Sequence, residues 1–271
     1  MSETQAKFTG SIPENYDRYL GPLLFEFSAA DMAQRVAKSQ DGPSSLLEVA
    51  CGTGISTRHL AGAVAPGSTI TATDLNDAML AHAEAVNGKL AGVSYSQADA
   101  LDLPFDDASF DTVVCQFGIM FFPDKAKGMR EMTRVLKPGG TLALNVWNDF
   151  SRNPSVGIVD EVIKSFFTED PPRFLEIPFG GVDTSTGRTL FEEAGLTKIE
   201  ITTISEPVAS HDHADAARGF ITGNPTILEI QNRATVDAEE IVRTAAEALE
   251  KAYGPAPVEL TFEATVFLGR K

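Results

Sequence analysis

A chain of 271 residues with 43% hydrophobic residues carries enough apolar material for one α/β domain with an added cap, and its composition matches neither a disordered chain nor a disulfide scaffold. The formal net charge of -16 sets up a field that repels polyanions, so nucleic acid is not an expected partner. No apolar run approaches the length of a membrane span, and the opening MSETQAKFTGSIPENYDRY lacks the basic-then-apolar pattern of a secretion signal, which favours the cytoplasm.

The segment 1–40, with Leu20, Leu23, Leu24, Phe27 and Val36, reads as a helical cap able to pack over the open end of a sheet. From residue 44 to 147 apolar strand-like runs alternate with helical patterns, the rhythm of βαβ units. SSLLEVA is the first strand and ISTRHLAGAV a helix. STITATD is the second strand, and NDAMLAHAEAV a helix with Asn76 placed as its N-cap. GVSYSQAD and FDTVVCQFG follow as strands. KAKGMREMTRVL is a helix stopped by Lys137-Pro138-Gly139-Gly140, and TLALNVW is the fifth strand. Beyond Trp147 come a helix (VGIVDEVIKSFF), a Pro-rich loop (PPRFLEIPFGG), a helix (STGRTLFEEAG) and a strand (LTKIEITTIS). Residues 209–252 are helical in pieces, and ELTFEATVFLGRK is the last strand. The insertion 209–252 is too long for a hairpin and reads as a helical lid between the last two strands. The expected core is therefore 41–208 together with 253–271. Cys51 and Cys115 sit at strand ends and read as reduced and structural, and no CxxC or HExxH spacing offers a metal site.

The chemistry lies in Glu48-Val-Ala-Cys-Gly-Thr-Gly54. A strand runs into a tight turn whose glycines, Gly52 and Gly54, let a ligand approach the backbone, and the next helix presents its N-terminus to that ligand. Asp74 ends the second strand, where a carboxylate can accept both hydroxyls of a ribose. These features alone indicate a ribonucleoside ligand and leave a dinucleotide oxidoreductase open, although the third glycine of that fingerprint is missing.

Four ordered pieces between Leu46 and Trp147 go further: LLEVACGTG, TATDLNDAML, QADALDLPFDDASFDTVVCQFGIMFF and MTRVLKPGGTLAL. Together they resemble the class I S-adenosylmethionine-dependent methyltransferases, especially the small-molecule, quinone-biosynthesis-like group. The resemblance implies a Rossmann-like fold: a seven-stranded, mostly parallel sheet with an antiparallel last strand and helices on both faces. It also implies S-adenosyl-L-methionine as cofactor, with S-adenosyl-L-homocysteine as product. By the same resemblance Glu48, Ala50, Cys51, Gly52 and Gly54 line the methionine part, Ala50 standing where the family commonly has glycine. Asp74 binds the ribose, Leu75 and Met79 flank the adenine, and Asp99 and Ala100 hold its edge. Gln116 and Phe117 face the sulfonium, and Tyr16 covers the cofactor.

Methyl transfer from a sulfonium is an in-line displacement, so alignment and exclusion of water matter most, and a base is required only for a weakly acidic acceptor. No residue is marked as that base. Tyr16, His211 and His213 are the candidates for a catalytic role, and Trp147 and Arg152, following the fifth strand, are candidates for substrate contact. The expected partner is a small-molecule acceptor, with a homodimer left open. A non-catalytic S-adenosylmethionine-binding sensor or partner subunit stays as the alternative.

Overall fold

The computed structural model describes residues 7–233 and 236–271. The first six residues of the expected cap, and Ala234 and Thr235 of the expected lid, lie outside the described residues. The chain opens with a short helix α1 (Ile12–Asn15), a π-helical stretch (Tyr16–Phe25) and α2 (Glu26–Lys38). Strands and helices then alternate: β1 (Ser45–Val49), α3 (Ile55–Ala63), β2 (Thr69–Asp74), α4 (Asp77–Asn87), β3 (Val93–Gln97), β4 (Phe110–Gln116), α5 (Lys125–Val135) and β5 (Leu136–Trp147). The remainder is α6 (Pro154–Ser165), α7 (Thr184–Glu193), β6 (Thr197–Ser210), α8 (His213–Thr222), α9 (Thr226–Arg233), α10 (Ala238–Tyr253) and β7 (Val258–Arg270).

The seven strands form one sheet in the order β3-β2-β1-β4-β5-β7-β6. All pairs from β3 through β5 are parallel, and β7 runs antiparallel to both β5 and β6. The last strand alone runs against the rest, as the family resemblance implies. Successive side chains along a strand point to opposite faces, and the core divides accordingly. Leu46, Val114, Ala143 and Val266 pack with Met32 and Val36 of α2 and Leu60 of α3. Leu47, Val113, Leu142 and Leu144 pack on the other face with Met129 and Met132 of α5 and Phe191 of α7. Burial on both sides explains why apolar residues stand next to one another in β1 (Leu46, Leu47) and β4 (Val113, Val114, Cys115) instead of alternating with polar ones. Among the described residues no helix is long and apolar enough to cross a membrane.

Chain order reverses at β1, which has β2 on one side and β4 on the other. In an open α/β sheet the crevice at the carboxyl ends of such strands is where ligands bind. The N-terminal helices, a loop near residues 174–179 and α8 stand around that crevice. The expected insertion 209–252 is shifted, because β6 continues to Ser210 and β7 begins at Val258; between them stand α8, α9 and α10, with α8 packed on the π-helical stretch and on α10.

Candidate active site

The turn after β1 takes three left-handed backbone positions in five residues: Ala50 at φ +59°, Gly52 at +57° and Gly54 at +78°. Glycine adopts these without a Cβ penalty. At Gly54 it also leaves room beneath the turn, where a Cβ would run into the Asn87 amide and Ala83. The turn is stitched to β2: Cys51 N–H donates to the Thr73 carbonyl (2.9 Å) and Gly52 N–H to Asp74 Oδ2 (2.9 Å). Ala50 does carry a Cβ, so its left-handed backbone costs about 1 kcal/mol. Ala50→Gly is expected to raise stability by roughly that amount, about 2–4 °C in Tm. A melting scan showing no rise would mean that the methyl's packing against Gly118 outweighs the strain.

Two carboxylates bracket the turn. Asp74 is buried, its Oδ2 taken by Gly52 and its Oδ1 by the backbone N–H of Asn76 (2.8 Å). Burial raises its pKa, and those N–H donors pull it part of the way back. Each oxygen retains a lone pair for a further donor. Asn76 stands at the N-cap of α4, but its side chain makes no cap bond; the amide donates to Asp74 Oδ1 (3.3 Å) instead.

Glu48, 1% exposed, accepts from the Thr57 hydroxyl through Oε2 (2.7 Å), while Oε1 has no partner. Desolvation pushes its pKa up to about 7, the Thr57 hydroxyl opposing the rise. Gln116 Oε1 is likewise buried without a partner. Glu48 and Gln116 both line a small recess of about 30 Å³, together with Tyr16, Cys51 and Ser56. Two orphaned acceptors at one recess fit a ligand ammonium, because a buried polar atom left unpaired costs about 1–3 kcal/mol.

Beside the recess opens a cavity of about 380 Å³. At one end stand Asp74, Leu75, Met79, Asp99 and Ala100. Leu75 is 51% exposed there, an apolar side chain at the lip of the cleft. Asp99 Oδ1 accepts from Leu101 N–H (2.8 Å), which fixes the loop after β3. The other end is aromatic. Phe117 lies face to face with Trp147 at 4.1 Å and 3°, Phe179 stacks on Trp147 at 5.8 Å, and Phe25 meets Phe117 edge-on at 5.6 Å. Tyr16 stacks on Phe25 at 4.6 Å and borders both the recess and the main cavity. Burial holds its phenol far above the ordinary tyrosine range, so it stays protonated at neutral pH. Phe8, Phe121 and Phe174 interlock across the mouth, and Phe220 and Asn224, at the carboxyl end of α8, close a further side. Among the described lining residues the titratable side chains are Tyr16, Asp74 and Asp99, and none is a cation.

The structure thus brings Tyr16, Glu48, Ala50, Cys51, Gly52, Asp74, Leu75, Met79, Asp99, Ala100, Gln116, Phe117 and Trp147 around one cleft and its recess. Gly54 shapes the turn from beneath. Three candidates lie elsewhere. His211 and His213 border a separate surface groove between α8 and α10, where His213 Nε2 meets the Gly254 carbonyl (2.8 Å). Seven residues, or about 10 Å of helix, separate His213 from Phe220. The Arg152 side chain is 67% exposed and faces Glu263 at 3.8 Å, because the turn around Asp149 swings the chain away from the cleft. Replacing His211, His213 or Arg152 by alanine is therefore expected to leave kcat and the cofactor Kd within about twofold, which is about 0.4 kcal/mol. A tenfold loss of kcat in a folded variant would put that residue back in the chemistry. Conversely, Phe8, Phe174, Phe179, Phe220 and Asn224 line the cavity without any motif to announce them. The one available signal was the abundance of phenylalanine, 17 in the chain.

Residues 47–144 match the family model described as a methyltransferase domain. A demethylmenaquinone methyltransferase of Staphylococcus carnosus (strain TM300) is 30% identical over 216 residues, covering 74% of this chain and 88% of that protein. The structure is similar to Haemonchus contortus phosphoethanolamine N-methyltransferase 2 in complex with S-adenosyl-L-methionine (TM-score 0.60, 17% identity, 97% of this chain and 57% of that one). It is also similar to the [4+2]-cyclase SpnF (TM-score 0.52, 21% identity, 91% and 82% of the two chains), so the fold alone does not fix the reaction. The sequence relationship does fix the family: the chain belongs to the class I S-adenosylmethionine-dependent methyltransferases, in a quinone-biosynthesis-like group whose members transfer a methyl group to a small-molecule acceptor.

Proposed function

We propose that the acceptor is an apolar, ring-sized small molecule, of the kind named for the Staphylococcus relative, a demethylmenaquinone, taken here in its reduced, quinol form. The observation that carries this is the acceptor end of the cavity: aromatic faces from Phe117, Trp147, Phe179, Phe121 and Phe174, with no cation among the described lining residues. A phosphorylated or polyanionic acceptor would find nothing there to pair with, whereas a flat ring gains offset stacking of about 0.5–1.5 kcal/mol per aromatic contact.

In this reading Glu48 Oε1 and Gln116 Oε1 hold the cofactor's ammonium, and the backbone of Ala50–Gly54 follows its amino-acid end. Asp74 accepts from the ribose hydroxyls, Leu75 and Met79 cover the adenine, and Asp99 with Ala100 binds its edge. When bound, S-adenosylmethionine supplies an activated methyl for in-line displacement. Phe117 and Tyr16 place aromatic faces beside the recess, where positive charge is favoured. Tyr16 remains a donor and not a base, so the cavity aligns the acceptor and excludes water without taking its proton. The acceptor must therefore bring its own nucleophile, as an ionised ring hydroxyl, or as an electron-rich ring carbon of an ionised hydroxyarene whose displaced ring proton passes to solvent after the methyl–sulfur bond has broken. The described part of the N-terminal segment, residues 7–40, acts as a cap through Tyr16 and Phe25, and the described part of 209–252 as a lid through Phe220 and Asn224.

A mass-spectrometric screen for gain of one methyl tests this with a panel of hydroxylated naphthalenes and quinols, phosphoethanolamine and RNA. Methylation of the apolar rings alone is expected. Turnover confined to phosphoethanolamine or RNA would contradict the proposal.

A further inference from the structure

Phe117 is a bulky residue at φ +55°, in the left-handed region where such side chains are rare and strained. Its N–H is shared between two acceptors of one residue, the Asn145 carbonyl (3.2 Å) and Asn145 Oδ1 (3.0 Å). The first is the bond expected as the parallel β4–β5 ladder continues past Gln116↔Asn145; the second is an addition from a fully buried side chain. Asn145 Nδ2 makes no hydrogen bond, so this amide is kept in the core at a cost, with one donor unpaired, while its oxygen holds Phe117. Two residues further along β5, on the same side of the strand, stands Trp147, whose ring the turned Phe117 meets within 3° of parallel.

We infer that Asn145 is a positioning residue: its side-chain oxygen holds Phe117 in the left-handed conformation and thereby sets the Phe117–Trp147 stack that walls the acceptor end of the cavity. Asn145 does not line the cavity and touches no reacting atom. Its effect falls on acceptor binding through Phe117 and leaves the distant Asp74 end alone. The acceptor part rests on the apolar-ring reading above; the positioning of Phe117 does not.

Trp147 is the chain's only tryptophan, so its emission reports the stack directly. The experiment compares Asn145→Leu, which keeps the shape and loses the acceptor, with Asn145→Asp, which keeps an oxygen at that position, and with Phe117→Ala. Binding of 2-naphthol, as an apolar ring probe, and of S-adenosylhomocysteine is followed by calorimetry. Asn145→Leu is expected to shift Trp147 emission as Phe117→Ala does, and to weaken 2-naphthol about tenfold, or 1.4 kcal/mol. S-adenosylhomocysteine, which meets Phe117 only at its sulfur and keeps its Glu48 and Asp74 contacts, should weaken less, by about threefold at most, and Asn145→Asp should restore both readouts. Wild-type emission in a folded Asn145→Leu overturns the inference. So does loss of emission and of both ligands in proportion to the unfolded fraction. Should Asn145→Leu fail to fold, Asn145→Asp carries the test: emission matching Phe117→Ala overturns the inference, and wild-type emission supports it. If wild type does not bind 2-naphthol, the acceptor reading fails, while the emission comparison still decides the role of Asn145.

Discussion

Glu48→Gln is expected to bind S-adenosylhomocysteine at least about 30-fold more weakly than wild type, and yet to be the more stable protein at pH 8. The two effects share one cause. In the ligand-free fold Glu48 is buried with one oxygen unpaired, and its pKa is raised to about 7 from an ordinary 4.5. Between those values the folded chain holds a proton that the unfolded chain has released. The stability this contributes is fully present below about pH 4.5 and is lost as pH rises through 7. A shift of that size corresponds to about 3 kcal/mol, so Glu48→Gln should gain on wild type by roughly that much between pH 5 and pH 8. Binding runs the other way. The ionised carboxylate is the form that meets an ammonium, and losing one member of a buried charge pair costs about 2–5 kcal/mol. Wild-type affinity should fall with decreasing pH below 7, approaching tenfold per pH unit, and Glu48→Gln should lose this slope. Denaturant titrations and calorimetry across pH 5–8 measure both. A pH-independent difference in stability, or an unchanged Kd, would remove Glu48 from the ammonium role.

Asp74→Ala is expected to move stability and binding in the same direction, which distinguishes it from Glu48. Asp74 accepts from the buried N–H groups of Gly52 and Asn76, and alanine leaves both without partners in the turn that shapes the site. The loss should be about 2–3 kcal/mol of stability. Cofactor affinity should fall by a further 1–3 kcal/mol, about 5- to 150-fold, as two charge-assisted bonds to ribose hydroxyls disappear. Asp74→Asn, which keeps one oxygen, should recover part of the stability and little of the binding. Calorimetry showing wild-type affinity in a folded Asp74→Ala would exclude the ribose contact.

The parts of the molecule that were legible in the sequence are those specified locally. Leu46, Leu47, Val49, Val113 and Val114 are apolar because both faces of β1 and β4 are covered, and Gly52 and Gly54 are glycines because their φ values are positive. The acids follow strand ends, so strand pattern and turn chemistry place them together. The aromatic roof is different. Phe8 and Phe179 come from segments without period and Phe174 from a single 3-10 turn, and only tertiary packing brings them over β4 and β5. The same limit explains His211, His213 and Arg152. Their positions in the chain were known, but not the axial offset along α8 or the turn after β5 that takes each away from the cleft. The conformations of Ala50 and Phe117 were also invisible, since neither residue type signals a left-handed backbone.

A crystal structure grown with S-adenosylhomocysteine tests most directly whether the carboxyl edge of the sheet is the cofactor site. The ribose hydroxyls should lie within hydrogen-bond distance of Asp74, the amino group at Glu48 Oε1 and Gln116 Oε1, and the sulfur beside Phe117. A cleft that stays empty at saturating ligand, or a ligand bound without touching Glu48 and Asp74, would contradict it.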